Sequence, residues 1–335
     1  MVQLKLFIIS LILHALSIIE GKANRLESYN VDQNKVSISG ISSGAAMATQ
    51  MHVIHSADFM GVGIIAGVPF ACSGGNLVGA LACMQTPNLE SVSSFERLTS
   101  SGAFLGNVDS TYHMRHDKVY IFAGQSDSVV KPGNGPNIQR YYNHYTLHSN
   151  VKTVFNINAE HGQPTDNYGG TCNVLSKSNY LNNCGYNAAF ELLNWIYGDL
   201  KVPEAGKPLT GQLKTFDQST FFHLSVPITY SFDNDGYIYV PSGCADKQTK
   251  CKLHIALHGC QQGRHFINDE YVKHAGYNEV GEANNIIILY PQITPIPTNL
   301  NGCWDWFGYT GAYFATKSGF QITALDRMRR QVIGQ

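Results

Sequence analysis

The sequence comprises 335 residues, of which 14% are charged, and its formal net charge is −1 at pH 7. No basic stripe or patch interrupts this balance, so the composition argues against nucleic acid or an anionic membrane surface as a partner. Tyr, Phe and Asn are plentiful, which suits an uncharged substrate. The length would accommodate two domains, although single α/β domains also reach this size.

The first 23 residues predict a secretory signal peptide. A lysine near the start precedes the apolar run LFIISLILHALSII, and the small-residue stretch EGKA follows, as in a cleavable leader. A membrane anchor is the alternative, but the run is shorter than the ~20 residues that a spanning helix needs. We therefore expect a secreted, extracellular protein that has no membrane association after cleavage.

Strand-like and helix-like segments alternate along the rest of the chain. Several strand segments are continuous apolar runs, as expected for parallel strands that are buried on both faces. The predicted strands cover residues 35–39, 61–67, 118–124, 152–159, 236–241, 252–259 and 285–291. The predicted helices cover residues 43–56, 138–148, 186–197, 271–284 and 321–333. This alternation predicts an α/β fold with a mainly parallel sheet flanked by helices.

The stretch VSISGISSGAAMATQMHVIHS, residues 36–56, contains a G-x-S-x-G pattern between a strand and a small-residue helix. This pattern is typical of a nucleophile elbow, a tight turn that exposes its central serine, here Ser42. A serine hydroxyl is a poor nucleophile unless a base accepts its proton and a third group orients that base. Ser43 is a rival, but it does not occupy the central position.

An acid and a histidine follow later strands in the order that such an elbow requires. KVYIFAG leads into QSDSVV, which places Asp127 on a strand-end loop, and KTVFNINA leads into EHGQPTD, which places His161 on the next one. Structural roles in strand-end turns are the alternative for both residues. The rival acids and histidines are Asp109, Asp117, Asp166, His113, His144 and His148. Among these, Asp117 precedes its strand, and the last two histidines fall on a predicted helix.

The strand KLHIALHG, residues 252–259, runs into Cys260 and resembles the HG loop of lipases, which supplies one N–H to the oxyanion hole. The second donor comes from the residue after the nucleophile, Ser43. A metal site at His254 and His258 is disfavoured, because residues four apart on a strand are ~13 Å apart. We therefore expect neither a metal nor another cofactor.

The order of these parts is rotated relative to an ordinary α/β-hydrolase, because the oxyanion loop follows the elbow. Joining the C-terminal end to the N-terminal strand restores the ordinary order, so the sequence predicts a circularly permuted α/β-hydrolase. Permutation is tolerated where the termini lie close together on the surface. The prediction places strand 35–39 beside strand 285–291, and helix 321–333 near the elbow strand.

Eight cysteines follow the predicted leader, an even number that indicates disulfides in a secreted chain. Eight cysteines allow 105 pairings, so the sequence alone cannot fix the connectivity. Pairing of nearest neighbours is the simplest guess. It gives Cys72–Cys83, Cys172–Cys184, Cys244–Cys251 and Cys260–Cys303.

Five motifs together resemble the secreted poly(3-hydroxybutyrate) depolymerases that have a permuted catalytic domain. They are GISSGAAMA, GQSDSVV, EHGQPTD, LHGCQQ and NGCWDWFGY. The resemblance implies a single α/β-hydrolase domain, here residues 24–335, and esters of short-chain hydroxyalkanoic acids as substrates. It also implies a catalytic triad of Ser42, Asp127 and His161, with an oxyanion hole formed by the backbone N–H groups of Ser43 and Cys260. The sequence departs from many bacterial members in one respect, because we expect no separate polymer-binding domain after the catalytic part.

The segment CWDWFGY, residues 303–309, supplies the candidate substrate contacts. Trp304 and Trp306 alternate with Asp305, so an extended segment would present both indoles on one side. Indole faces suit the methyl and methylene groups of a polyester. Ordinary core packing is the alternative for either tryptophan.

The expected activity is hydrolysis of poly- or oligo(3-hydroxybutyrate) through an acyl-enzyme, by a monomer. One alternative is a secreted carboxylesterase that acts on acylated or feruloylated polysaccharide, since similar folds and triads host that chemistry. The other is a non-catalytic carbohydrate- or surface-binding protein on a hydrolase scaffold. Loss of a triad member would favour that last alternative, and all three are present.

Overall fold

The computed structural model describes residues 24–222 and 226–335. The predicted signal peptide, residues 1–23, lies outside the described residues. Within the described ranges, no helix has the length and apolar character needed to cross a membrane.

Within these residues the strands form two sheets. The strands are β1 (Val31–Ile41), β2 (Gly61–Ile65), β3 (Lys118–Phe122), β4 (Val151–Val154), β5 (Gln163–Thr165), β6 (Gly170–Thr171), β7 (Leu181–Asn183), β8 (Gln212–Asp217), β9 (Asp235–Val240), β10 (Cys251–Leu257) and β11 (Ile286–Tyr290). The large sheet has the order β4-β3-β2-β1-β10-β11-β9-β8, and the small one has the order β5-β7-β6. Neighbours from β4 to β11 run parallel, whereas β9 and β8 pair antiparallel. The predicted α/β fold with a mainly parallel sheet is confirmed.

Among the described residues, some helices flank the large sheet and others pack outside them. The helices are α1 (Ser43–Ile54), α2 (Leu77–Gln85), α3 (Val92–Phe104), α4 (Asn134–Tyr145), α5 (Ala188–Tyr197), α6 (Arg264–Ile267), α7 (Glu270–His274), α8 (Tyr277–Asn284) and α9 (Phe320–Ile333). The predicted helix over 271–284 is split into α7 and α8, because Gly276 adopts a φ of 87° that no α-helix accommodates. Helices α2, α3 and α6 and strands β5 to β8 do not correspond to any predicted element.

Two apolar layers bury the two faces of the sheet. Val36 and Ile38 of β1 pack in one layer with α1 and α9, and Ile41 packs in the other with α5 and α8. Each such side chain contributes roughly 1.5–3 kcal/mol when fully buried. Burial on both faces therefore fixes β1, the strand that carries the elbow, at the centre of the molecule.

A buried polar row joins β1 to β10. Ser37 Oγ and Ser39 Oγ each lie 2.7 Å from a ring nitrogen of His254, and Ser39 Oγ also lies 2.8 Å from Tyr277 Oη. Burial lowers the pKa of His254 to about 3, so the imidazole is neutral. The row ties the two strands in register, and β1 and β10 therefore end at the same edge of the sheet.

The prediction that strand 285–291 lies beside strand 35–39 is wrong. Strand β10 lies beside β1, and β11 pairs with the far side of β10. Strands that follow one another in a chain are not always adjacent in the sheet, because a crossover can pass over one position. The predicted place of the C-terminal helix is confirmed, since the N–H of Tyr29, just before β1, donates to the carbonyl of Val332 at 2.9 Å.

Candidate active site

Ser42 occupies a strained turn between strand β1 and helix α1. Its φ is 56° and its ψ is −123°, a backbone conformation that is unfavourable for any residue with a side chain. The turn is anchored to the next strand, because the N–H of Ser42 donates to the carbonyl of Ile65 at 3.0 Å. Backbone strain of this kind is typical of functional sites.

The two glycines of the G-x-S-x-G pattern allow main chains to approach closely. A Cβ atom on Gly40 would lie 2.3 Å from the carbonyl carbon of Gly44, and one on Gly44 would lie 2.3 Å from the carbonyl oxygen of His258. Both distances are far below van der Waals contact. The glycines therefore close the elbow and seat it against the end of β10.

Asp127 and His161 lie on the loops that follow β3 and β4. Asp127 Oδ2 lies 2.9 Å from His161 Nδ1, and both side chains are almost fully buried. Asp127 Oδ1 accepts the N–H groups of Val129 at 2.9 Å and Val130 at 2.7 Å. A carboxylate at Nδ1 fixes the ring proton there, which leaves His161 Nε2 as an acceptor.

Ser42 and His161 face one cleft, whose volume is about 480 Å³. Asp127 lies behind the histidine and does not line this cleft. No hydrogen bond joins Ser42 to His161 among the residues that the structure describes, and catalytic hydrogen bonds are often loose before substrate binds. The cleft thus brings together the serine and the base that the sequence analysis predicts.

The two predicted oxyanion donors also line the cleft. Ser43 begins helix α1, and Cys260 follows strand β10. Neither backbone N–H has a backbone acceptor within the described ranges. A free N–H at the start of a helix and another on the loop after β10 are donors of the kind that can stabilise a developing negative charge.

The main rivals for catalytic roles lie elsewhere. Asp117 pairs with His52 at 3.1 Å, and neither residue lines the cleft. The two histidines considered as metal ligands are also structural, since His254 belongs to the polar row described above and His258 Nδ1 donates to the carbonyl of Gly259. Burial lowers the pKa of His258 to about 4. These side chains are hydrogen-bonded within the protein, as structural polar groups usually are.

The structure corrects the predicted role of Trp304. Its side chain is 0% exposed and does not line the cleft, whereas Trp306 does. Trp304 Nε1 donates to the carbonyl of His258 at 3.0 Å. The segment is not extended, because the N–H of Trp306 donates to the carbonyl of Trp304 at 3.1 Å and the chain turns between them.

Part of the cleft wall comes from helix α2, which was not predicted from the sequence. Leu77 and Leu81 of this helix line the cleft and are 58% and 50% exposed, and Leu300, which also lines it, is 73% exposed. Asn76 marks the start of the helix, since its side chain accepts the N–H of Gly79 at 2.9 Å. An Asn before the apolar run LVGALACM is the signal that could have located it.

The eight cysteines form the four predicted nearest-neighbour pairs. The Cys260–Cys303 bridge joins the oxyanion loop to the tryptophan segment. The Cys72–Cys83 bridge joins α2 to the loop before it. The first bridge therefore lies in the cleft wall, and the second holds the helix that contributes Leu77 and Leu81 to it.

No protein-family model matches the sequence. The poly(3-hydroxybutyrate) depolymerase of Delftia acidovorans is 37% identical over 309 residues, which is 91% of this chain and 61% of the Delftia protein. The chain thus spans about three fifths of that relative's length. The polyhydroxybutyrate depolymerase of Talaromyces funiculosus is 33% identical over 334 residues, which is 95% of each protein. The chain belongs to the poly(3-hydroxybutyrate) depolymerase family.

Solved structures of PHB depolymerases share this fold. One is a serine-to-alanine variant complexed with an R3HB trimer, with a TM-score of 0.86 and 33% identity, covering 93% of this chain and 99% of that one. The crystal structure of PHB depolymerase from Penicillium funiculosum gives the same TM-score, identity and coverage. Members of the family are carboxylic ester hydrolases, and the large sheet of this chain is of the α/β-hydrolase type.

Proposed function

We propose that the protein is a secreted serine esterase that hydrolyses poly- or oligo(3-hydroxybutyrate). The observation that carries this proposal is one apolar cleft that holds Ser42, His161 and the free N–H groups of Ser43 and Cys260. An uncharged aliphatic polyester suits such a cleft. The R3HB trimer in the related serine-to-alanine structure supports the same class of substrate.

In the proposed acylation step, His161 Nε2 takes the proton of Ser42 as the serine oxygen attacks the ester carbonyl. The carbonyl oxygen becomes an oxyanion that the N–H groups of Ser43 and Cys260 stabilise, at ~3–4 kcal/mol per donor. His161 then gives its proton to the departing hydroxyl. Asp127 keeps the imidazole in the tautomer that this transfer needs.

In the proposed deacylation step, water takes the place of the serine hydroxyl. His161 removes a proton from the water as it attacks the acyl carbon, and the same two N–H groups bind the second oxyanion. Ser42 then leaves with the proton from His161. The products are a free carboxylic acid and an unchanged enzyme.

The alternative of an acylated polysaccharide as substrate has less support. Leu77, Leu81 and Leu300 line the cleft together with a smaller number of polar side chains such as Gln261 and Asn301, and sugar rings require more hydrogen-bonding partners than an apolar wall of this kind supplies. Trp306 and Phe307 also line the cleft and favour contact with methyl and methylene groups.

We further propose that residues 1–23 are a signal peptide and that residues 24–335 form one circularly permuted catalytic domain that acts as a monomer. Four disulfides support secretion, because such bonds persist in oxidising compartments. The C-terminal residue lies beside strand β1, since Gln335 Nε2 donates to Gln33 Oε1 at 3.0 Å. A C-terminus next to the strand that carries the elbow supports a permuted topology.

The test compares substrates on one preparation of the mature protein. A polyhydroxybutyrate suspension, an R3HB trimer, acetyl-xylan and p-nitrophenyl butyrate are assayed side by side. We expect turnover of the trimer, the polymer and the small ester, with little release of acetate from acetyl-xylan. Faster turnover of acetyl-xylan than of the trimer would overturn the proposal.

A further inference from the structure

Two consecutive peptide groups flank Gly259, and three of their four polar atoms are held by hydrogen bonds. The carbonyl of His258 accepts from Trp304 Nε1 at 3.0 Å, and the N–H of Gly259 donates to Gln262 Oε1 at 2.7 Å. The carbonyl of Gly259 accepts from His258 Nδ1 at 2.7 Å. The remaining atom is the N–H of Cys260. In a planar trans peptide it points away from the carbonyl of Gly259, so these bonds fix its direction.

The hydrogen bond from His258 Nδ1 to the carbonyl of Gly259 is the same throughout the pH range near neutrality. The N–H of Ile293 donates to His258 Nε2 at 3.1 Å, so Nε2 carries no proton and Nδ1 is the donor to Gly259. Burial lowers the pKa of His258 to about 4. The neutral tautomer therefore persists at any pH at which an esterase of this type would work.

Gln262 connects this loop to the segment that carries Tyr180. Its side chain is buried, and Nε2 donates to the carbonyls of Asn179 at 2.9 Å and Tyr180 at 3.0 Å. Tyr180 lines the cleft, and its ring centre lies 6.3 Å from that of His161. One amide thus joins the loop of the predicted oxyanion donor to the loop beside the predicted base.

We propose that Gln262 is a positioning residue for the oxyanion hole. It acts through Gly259 by holding the loop so that the N–H of Cys260 points at the reacting carbonyl. The close packing around Gly259 supports this role, because a Cβ atom on Gly259 would lie 2.9 Å from Gln262 Oε1 and 3.2 Å from Ser42 Cβ. The inference rests on the proposed function, since it concerns the oxyanion of that reaction.

Few side chains can replace this amide. Gln262 uses one acceptor and two donors, which a glutamate of the same length cannot supply because it has no N–H group. Glutamate would also place a negative charge one peptide away from the developing oxyanion. Methionine keeps the length and the apolar stem but lacks strong donors and acceptors. Methionine therefore removes the hydrogen bonds at nearly constant volume, and glutamate removes the two donors and adds a charge.

Gln218 provides a matched control. It is also fully buried, its Nε2 donates to the carbonyls of Asp233 at 2.8 Å and Gln292 at 3.0 Å, and its Oε1 accepts the N–H of Gln292 at 3.0 Å. It does not line the cleft. Replacing Gln218 with Met removes the same set of bonds to backbone and breaks no direct bond to Gly259 or Cys260.

The test measures kcat and KM on p-nitrophenyl butyrate, thermal stability, and inhibition by an alkyl trifluoromethyl ketone. With this inhibitor the Ser42 oxygen bonds to the ketone carbon, its proton passes to His161, and the ketone oxygen becomes the oxyanion. For Gln262→Met we expect kcat to fall roughly ten- to a hundredfold, less than the ~10²–10³ for outright loss of a donor. KM should stay within about twofold and the inhibition constant should rise in proportion to the loss of kcat. Gln262→Glu should lose more.

Gln218→Met should lower the melting temperature and leave kcat and the inhibition constant unchanged. A Gln262→Met protein with wild-type kcat would overturn the inference. The inference would also be overturned if active-site titration showed that the loss of kcat equals the loss of functional molecules, because the remaining sites would then be unimpaired. A wild-type protein without esterase activity would overturn the proposed function and this inference together, and so the two failures are distinguishable.

Discussion

Replacing Asp127 with Asn should invert the tautomer of His161. Oδ1 of this residue accepts two backbone N–H groups, from Val129 and Val130, and Oδ2 faces His161 Nδ1 at 2.9 Å. In the variant the amide oxygen must stay with the two N–H donors, so the amide NH₂ group faces the imidazole. His161 Nδ1 can then only accept, and the ring proton moves to Nε2.

A protonated Nε2 cannot take the proton of Ser42. Loss of the correct tautomer in a serine triad lowers kcat by about 10⁴, which is about 5 kcal/mol of barrier at 1.36 kcal/mol per tenfold. The fold should survive, because the variant keeps the volume and the two bonds to Val129 and Val130. KM should change little, since Asp127 does not line the cleft.

The assay is kcat for p-nitrophenyl butyrate, corrected for the folded fraction from thermal melts. Asp117→Asn is the control, because Asp117 pairs with the buried His52 at 3.1 Å outside the cleft. That variant should lose stability and keep kcat within about twofold, as expected for a pair that serves the fold. A loss of less than about tenfold in Asp127→Asn would refute the role assigned to this carboxylate.

Three further predictions concern the cleft, the pH dependence of stability and the disulfides. Trp306→Ala should reduce hydrolysis of an R3HB trimer more than that of p-nitrophenyl butyrate, because only the longer substrate reaches along the cleft; equal losses would count against substrate contact. Trp304→Phe should instead lower the melting temperature and both activities. Burial raises the pKa of Glu90 from 4.5 to about 7, so the folded state binds this proton more tightly than the unfolded state and stability falls as pH rises through that window. The melting temperature of Glu90→Gln should therefore fall less than that of wild type between pH 5 and pH 8. Equal decreases in the two proteins would contradict the raised pKa of Glu90. Thiol titration of the denatured, unreduced mature protein should detect no free thiol, and eight free thiols would exclude the disulfides.

The residues proposed to react could be located from the sequence because their signals are local. Ser42 stands in a short pattern between a strand and a helix, and Asp127 and His161 each follow an apolar strand. Parallel strands end at the same edge of a sheet. Residues that follow different strands can therefore be expected to meet there even when the order of the strands in the sheet is unknown. The structure brings Asp127 and His161 to within 2.9 Å of each other for this reason.

The position of Trp304 could not be predicted because its signal is not local. Alternation predicts that two residues share a side only if the segment is extended. Asp305 prevents this, since its buried carboxylate accepts the N–H groups of residues 307–310 and folds the segment around itself. The indoles of Trp304 and Trp306 therefore occupy different places, one in the core and one in the cleft.

The pairing of strands in the sheet could not be predicted either. Strand β11 resembles β10 in its apolar pattern, and nothing in either segment states which one pairs with β1. The register is fixed by long-range contacts such as Ser37 and Ser39 with His254. Polar residues inside an apolar strand were the available signal, because buried hydroxyl groups need a partner on a neighbouring strand.

The central claim is that Ser42 forms an ester with a 3-hydroxybutyryl unit during turnover. The direct measurement is acid quenching of the mature protein while it hydrolyses an R3HB trimer, followed by proteolysis and mass spectrometry of the peptides. We predict a 3-hydroxybutyryl adduct of one or more units on Ser42, which should accumulate further in His161→Ala if deacylation slows more than acylation does. An adduct on another residue, or trimer consumption by a Ser42→Ala protein at a rate near that of wild type, would contradict the account.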